Sequence, residues 1–316
     1  MNTAFANLEA ESIYILRESA AGFRRPVILF SGGKDSVVLA RLAEKAFYPA
    51  QMPFEFLMVD TGHNFSEALS FVERRMSGIG RPFYVRTVSD AMARRGVTLD
   101  PIASRNQLQS HALNDAITEL NIDALISGAR RDEDKARAKE RIFSRRQNPS
   151  FSPAANVGLA LSSAKGARVA AGWQPENQEP ELWPILNSKL QAGEHMRVFA
   201  LSNWTELDIW NYIRDEKLEV PSIYFSHERD CFKVGDVWMA PVADQGSAIK
   251  STHRVSGVRV RTVGDMACTA LFESAARNVD DVIAELKTSE ISERGLRMDD
   301  KTSRFSMEER KREGYF

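Results

Sequence analysis

Cysteine is almost missing from this chain: Cys231 and Cys268 are the only two in 316 residues. Two cysteines cannot build a disulfide framework, a Cys-only zinc site or a cysteine-ligated four-iron cluster. Reduced thiols in a cytoplasm are the expectation instead. Charge of one sign is also missing. The formal net charge is −1, so no global basic field points to nucleic acid, and none is expected as a partner. No uninterrupted apolar run is long enough to cross a bilayer. The first residues carry acids and no basic n-region, so neither a membrane nor a secretory route is expected. The common P-loop, with four residues between Gly and Gly-Lys-Ser/Thr, occurs nowhere. There is no internal repeat. What remains is an ordinary composition, 43% hydrophobic and 27% charged, long enough for one large or two smaller domains.

The stretch around which the chain is organised is Val27 to Leu39. Four apolar residues, Val27–Phe30, read as a buried strand. Ser31, Gly32, Gly33, Lys34, Asp35 and Ser36 form a small polar loop. Apolar residues then return at helical spacing through Val38, Leu39, Leu42, Ala43 and Ala46. Strand, Gly-rich loop and helix make a phosphate-binding arrangement, because glycines let backbone N–H groups approach an anion and the helix N-terminus adds partial positive charge. A plain connecting turn would not need a cation, a carboxylate and a hydroxyl at the same spot.

Before the loop, Leu8, Ile13, Leu16 and Ala20 suggest an amphipathic helix. After it, Phe54–Val59 reads as a second strand ending in Asp60, Thr61, Gly62, His63 and Asn64. Ser66–Met76 reads as a helix, Pro82–Thr87 as a third strand and Asp123–Ser127 as a fourth. This alternation predicts an α/β fold with a mostly parallel sheet flanked by helices. Ligands in such sheets sit at the carboxyl ends of strands, which selects Ser31–Ser36 and Asp60–Gly62. Asp60 is suited to a ribose hydroxyl, to Mg²⁺, or to capping a turn. Arg105, in the loop before the next helix, is suited to an anion or to the surface.

Gly128–Arg141 is the second signal. Asp132 is suited to cap a helix, with Glu133 and Arg137 as an i,i+4 pair. Arg130 and Arg131 would then stand at a helix N-terminus that repels cations, a placement that makes sense around an anion. Residues 147–172 read as a flexible insert. Trp173 and Trp183 are suited to packing or to stacking on a base. Met196–Leu201 reads as a fifth strand. Asn203, with Glu206 three residues on, opens a helix. From Pro221 the texture turns to short β-like pieces, then a helix over Val279–Leu286. We expect one domain over 1–225 and a smaller C-terminal subdomain with a tail over 226–316.

Beyond these patterns, Ser31–Ser36 resembles the pyrophosphate loop (PP-loop) of ATP pyrophosphatases, the adenine nucleotide alpha hydrolase-like fold. Longer stretches resemble one family in particular, the small, ATP-binding subunit of bacterial sulfate adenylyltransferase. They are Lys45–Pro49, Val59–Phe65, Gly128–Glu133 through Lys139–Arg141, Pro180–Trp183, Leu201–Glu206, Arg261–Gly264 and Lys311–Phe316, nearly end to end. The chain departs from the family in a longer 147–172 segment and in Glu179, where the family tends to have arginine.

The resemblance implies transfer of AMP from ATP to sulfate, giving adenosine 5′-phosphosulfate and pyrophosphate. It also implies a large GTPase subunit whose GTP hydrolysis drives this uphill reaction; no GTPase motif exists in this chain. Lys34, Arg130 and Arg131 are then the catalytic candidates. Ser31, Gly32, Gly33, Lys34, Asp35, Ser36, Asp60, Thr61, Gly62 and Gly128 are the ATP-binding candidates, and Asp35 is the Mg²⁺ candidate. A paralogue adenylating another oxyanion, and a non-catalytic nucleotide-binding regulatory subunit of the GTPase, are the alternatives. Phosphosulfate reductases share the superfamily but need a nucleophilic cysteine near the C-terminus, which this chain lacks.

Overall fold

The computed structural model describes residues 3–100, 103–134, 137–147, 173, 178–181, 186–242, 252–288 and 293. Its centre is a six-stranded sheet in the order β3-β2-β1-β4-β6-β5. The strands are β1 (Pro26–Leu29), β2 (Glu55–Asp60), β3 (Phe83–Thr87), β4 (Ala124–Ser127), β5 (Phe143–Gln147) and β6 (Glu194–Phe199). All pairs are parallel except β5 with β6. Strands buried on both faces need no polar alternation. Accordingly Val27, Leu57 and Leu125 face one helical layer, and Ile28, Phe56 and Ile126 face the other.

The second layer contains α1 (Thr3–Gly22), α2 (Lys34–Phe47), α3 (Ser66–Ser77) and α6 (Glu206–Asp215). Their apolar sides, among them Leu16, Leu39, Phe71 and Trp210, close the main core. The first layer is α4 (Val88–Ala93) and α5 (Gln109–Glu119), whose Leu113, Ala116 and Ile117 pack on the sheet. Because β1 lies between β2 and β4, the chain leaves β1 to one side and returns on the other. That reversal opens a crevice at the carboxyl ends of β1 and β4, where ligands bind in open α/β sheets.

After a short 3₁₀ turn at Ser222–Tyr224, β7 (His227–Val234), β8 (Val237–Met239), β9 (His253–Val260) and β10 (Ala270–Glu273) close an antiparallel barrel. The helix α7 (Val279–Thr288) then packs on α6. Arg259 is buried in the barrel wall, over the Phe272 ring at 4.5 Å and paired with Glu285 at 2.6 Å.

Three local expectations change. The N-cap of α6 is Thr205, not Asn203. Its hydroxyl accepts from Asp208 N–H and the Asp208 carboxylate accepts from Thr205 N–H, so the capping box sits two residues later. The Asn203 amide instead donates to Glu11. Gln147, the first residue of the expected insert, instead ends β5, because β6 offers residues 143–147 an open edge. Finally, the residues after β4 make turns and a 3₁₀ turn at Arg137–Lys139, not an α-helix. Asp132 caps no helix there; its carboxylate accepts from Glu206 N–H at 3.1 Å, at the start of α6. The remainder of the 147–172 insert, Trp183 and the tail after residue 293 lie outside the described residues.

Candidate active site

The loop after β1 takes its shape from two close approaches. Gly32 has φ +74, and a Cβ there would lie 2.6 Å from Val72 Cγ2, so both backbone and space demand glycine. Gly128, at the end of β4, touches the first turn of α2; a Cβ there would lie 3.0 Å from the Asp35 carbonyl carbon. Gly33 is the N-cap of α2 and has no side chain to cap with. The Ser31 hydroxyl accepts from Gly33 N–H at 3.3 Å, and Ser36 Oγ donates to Gly33 O at 2.8 Å. The first helical bond of α2 is Val37 N–H to Gly33 O. The N–H groups of Asp35 and Ser36, just before it, have no partner within the helix, as at any helix start. Lys34 N–H donates to the Tyr224 hydroxyl at 2.9 Å.

Behind this loop lies a buried ion cluster. Lys34 is fully buried, and its Nζ contacts Asp35 at 2.9 Å and also Glu293. Arg130, also buried, donates from Nε to Asp35 Oδ1 at 2.7 Å and from Nη2 to Glu293. Glu293 thus bridges the two cations with its two oxygens. Burial pulls the Lys34 pKa down, but Asp35 and Glu293 outweigh it and hold the ammonium charged. Burial pushes Asp35 up, yet Arg130 and Lys34 bring it down to about 2. Glu293 behaves alike: Lys34 and Arg130 overcome its burial and depress it. Burial pushes Tyr224 up, so its hydroxyl keeps its proton.

In front of the loop is a cavity of about 220 Å³. One side is Ser31, Gly33, Asp35 and Ser36, with Gly128 beside them. Another is the apolar end of the sheet, including Leu29, Leu57 and Val59. Asn64, Asn106 and Gln109 add amides, and Glu133, Arg137, Tyr224 and Glu293 complete the polar end. This is a mostly apolar slot with a charged, donor-rich end, which suits a nucleotide.

Most of the predicted loop residues therefore meet at one cavity, while Lys34 and Arg130 stand behind its wall and act through Asp35 and Glu293. Other predicted residues do not line this cavity. Arg131 points away: its guanidinium donates to the Glu140 carbonyl, to Asn203 Oδ1 at 2.7 Å and to Glu181 at 3.0 Å. With no helix N-terminus beside it, the reason for an anion there disappears. Asp60 accepts from Gly62 N–H at 2.7 Å and Asn64 Nδ2 at 2.6 Å, the local turn. Thr61 is buried, its hydroxyl accepting from His63 N–H. Asp60, Thr61 and Gly62 hold the wall in place, and Val59 and Asn64 face the cavity instead. Arg105 clamps that turn, donating to the Thr61 carbonyl at 3.0 Å, while its own N–H is accepted by Asp265. Glu179 pairs with Arg145 outside the cavity lining, so its difference from the family pattern lies away from the site. Trp173 is buried and does not line the cavity.

Arg137, Tyr224 and Glu293 were missed. Arg137 is held at the cavity by Glu133 at 2.9 Å. The sequence pairs it with Glu133 at i,i+4, and that spacing alone gives no other signal. Tyr224 is set by Trp210, whose ring meets it edge-on at 5.3 Å. Nothing in the local sequence around Tyr224 or Glu293 announces either.

Asp35 presents its carboxylate at the charged end of the cavity, with Glu133 and Glu293 nearby and tied to cations. Among the described residues no group of three or more His, Cys, Asp or Glu could hold a metal. Mg²⁺ binds well to one carboxylate together with substrate phosphates and water, so the donor set fits a metal that arrives with a nucleotide. Both cysteines are buried, and neither lines the cavity.

Fold and loop together define an α/β protein of the PP-loop class. A family model described as phosphoadenosine phosphosulfate reductase domain matches residues 25–271. Sulfate adenylyltransferase subunit 2 of Streptomyces lavendulae is 47% identical over 310 residues, 98% of this chain and 91% of that protein. The protein of the same name from Mycolicibacterium vanbaalenii is 46% identical over 98% of this chain and 93% of its own. Among solved structures, FMN adenylyltransferase of Candida glabrata aligns with 93% of this chain and 88% of its own at TM-score 0.48 and 11% identity. The chain belongs to the sulfate adenylyltransferase subunit 2 family. Among the described residues no helix is long and apolar enough to cross a membrane.

Proposed function

We propose that this chain transfers AMP from ATP to sulfate, releasing pyrophosphate, in a complex with a GTPase subunit. The observation that carries the reading is the cavity at the β1/β4 reversal, where the Ser31–Ser36 backbone, Gly128 and Arg137 converge with Lys34 and Arg130 behind them. Family membership supports the same chemistry.

Sulfate is fully ionised at neutral pH, so the reaction needs no base to activate it. The barrier is the approach of a dianion to an anionic α-phosphate, and positioning with positive charge lowers it. The helix start at Asp35 and Ser36 receives the β,γ-phosphates. Tyr224, accepting from Lys34 N–H, has its own proton left to donate there. Arg137, an arginine that lines the cavity, would hold sulfate. Lys34 and Arg130 supply field from behind. Asp35 would hold Mg²⁺, which neutralises phosphate charge. Val59 and the sheet end receive the base, with Asn64, Asn106 and Gln109 as polar contacts.

The test is pyrophosphate release by the purified chain with its cognate GTPase, with and without sulfate and GTP. Release that depends on both, with adenosine phosphosulfate formed, is the expected result. Release independent of sulfate would transfer the reading to another oxyanion, and no release would leave a regulatory nucleotide-binding subunit.

A further inference from the structure

Glu293 is a carboxylate where the proposed function needs an anion-binding site. It arrives from the far end of the chain, 259 residues beyond Lys34 and 163 beyond Arg130. Its side chain is 4% exposed, yet it lines the cavity. Each oxygen takes one cation: Oε1 meets Lys34 Nζ and Oε2 meets Arg130 Nη2. Two oxygens shared between a lysine and an arginine is the contact pattern of a phosphate or sulfate edge.

Charge balance gives this contact its meaning. Around the loop, the cations Lys34, Arg130 and Arg137 face the carboxylates Asp35, Glu133 and Glu293. Leaving aside the half-exposed Asp132, 3.5 Å from Arg130, these six groups are neutral together and carry one positive charge without Glu293. Asp35 cannot be the group that leaves, because α2 fixes its backbone between Lys34 and Ser36. Glu133 is tied on both oxygens, to Arg130 N–H and to Arg137. Glu293 is the one carboxylate of the three that neither belongs to the loop nor follows β4, so its exchange leaves the loop intact.

We propose that Glu293 is an internal competitor for the polyphosphate: its carboxylate holds Lys34 and Arg130 until the phosphates of the nucleotide displace it. The inference rests on the proposed nucleotide site. A site whose cations are engaged most of the time binds its ligand more weakly by the fraction that is free. It also keeps two buried cations satisfied between turnovers, when isolated buried charge would be costly.

The experiment uses the full chain and inorganic pyrophosphate as the probe. Binding is measured by calorimetry for wild type, Glu293→Gln and Glu293→Asp. If the cations are free less than about one tenth of the time, E293Q binds pyrophosphate at least about tenfold more tightly, and E293D stays closer to wild type. Equal or weaker binding by a folded E293Q overturns the inference and leaves Glu293 as a structural partner of the two cations. A second measurement needs no variant. Carbodiimide labelling of wild-type carboxylates, read by mass spectrometry, should find Glu293 protected in the free protein and labelled at saturating pyrophosphate. Continued protection at saturation overturns the exchange. If pyrophosphate binds neither wild type nor E293Q, the nucleotide site itself fails, and the inference falls with it.

Discussion

Replacing Arg130 by Met tests the buried cluster most directly. The side chain is fully buried and serves Asp35 at 2.7 Å, Glu293, and Asp132 at 3.5 Å. Methionine fills similar space but leaves Asp35 and Glu293 with Lys34 as their shared cation. Removing one partner of a buried ion pair costs about 3–5 kcal/mol. Lys34 still reaches both carboxylates, so the loss should fall near the lower end, about 3 kcal/mol. For a chain of this size that lowers Tm by roughly 6 °C. The double variant R130M/E293Q removes the stranded carboxylate and should recover about half of the loss. The acid limb should change as well. Asp35 is depressed to about 2 in the folded protein, so its stabilisation is complete above its unfolded value near 4. It is lost as the pH falls toward 2. R130M should shorten that window. Urea titrations of the four members of the cycle, at pH 7 and at pH 3, measure all of this. A single variant within about 1 kcal/mol of wild type, or strict additivity in the cycle, would refute the reasoning.

Three further outcomes follow from the geometry. Arg131→Ala should leave pyrophosphate release nearly unchanged, because its guanidinium is spent on Glu140, Asn203 and Glu181; a collapse in kcat would restore Arg131 to the site. Arg137→Lys keeps a charge but loses the forked donors, and should raise the KM for sulfate about tenfold, by about 1.4 kcal/mol, with a smaller change for ATP, as initial rates would reveal. His195 is buried beside Arg197 and Arg146, and its pKa is held well below the ordinary value, first by burial and then by those cations. The unfolded chain therefore binds the extra proton. Wild type should lose up to about 1.4 kcal/mol of stability per pH unit below about 6.5 relative to His195→Gln, and parallel stability curves for the two would dispose of that account.

Much of the site was written in local sequence because its chemistry is local. Val27–Ser36 combines an apolar run, two glycines and a returning helical period, and each feature acts within a few residues. Gly32 is needed for its φ, and the carboxylate of Asp35 is carried by the first turn of α2. The same holds for the parallel sheet, whose strands are continuous apolar runs because both faces are covered. Reading failed where a side chain's partner comes from far along the chain. Arg130 and Arg131 are adjacent and alike in sequence, yet one turns to Asp35 and Glu293 and the other to Asn203 and Glu181. The expected α-helix after Ser127 gave way because Asp132 and Arg130 find partners on α6 and α2 that a helix could not reach.

The sequence by itself determined the fold class, the Gly-rich loop between β1 and α2 and the family, since these rest on periodicity, on backbone permissiveness at glycine and on motifs of contiguous residues. Only the tertiary structure decided which cations face the cavity, that Tyr224 accepts from Lys34 N–H across 190 residues, and that Glu293 closes the ion cluster. Those are choices of charge balance in a buried space, and burial is a property of the assembled chain.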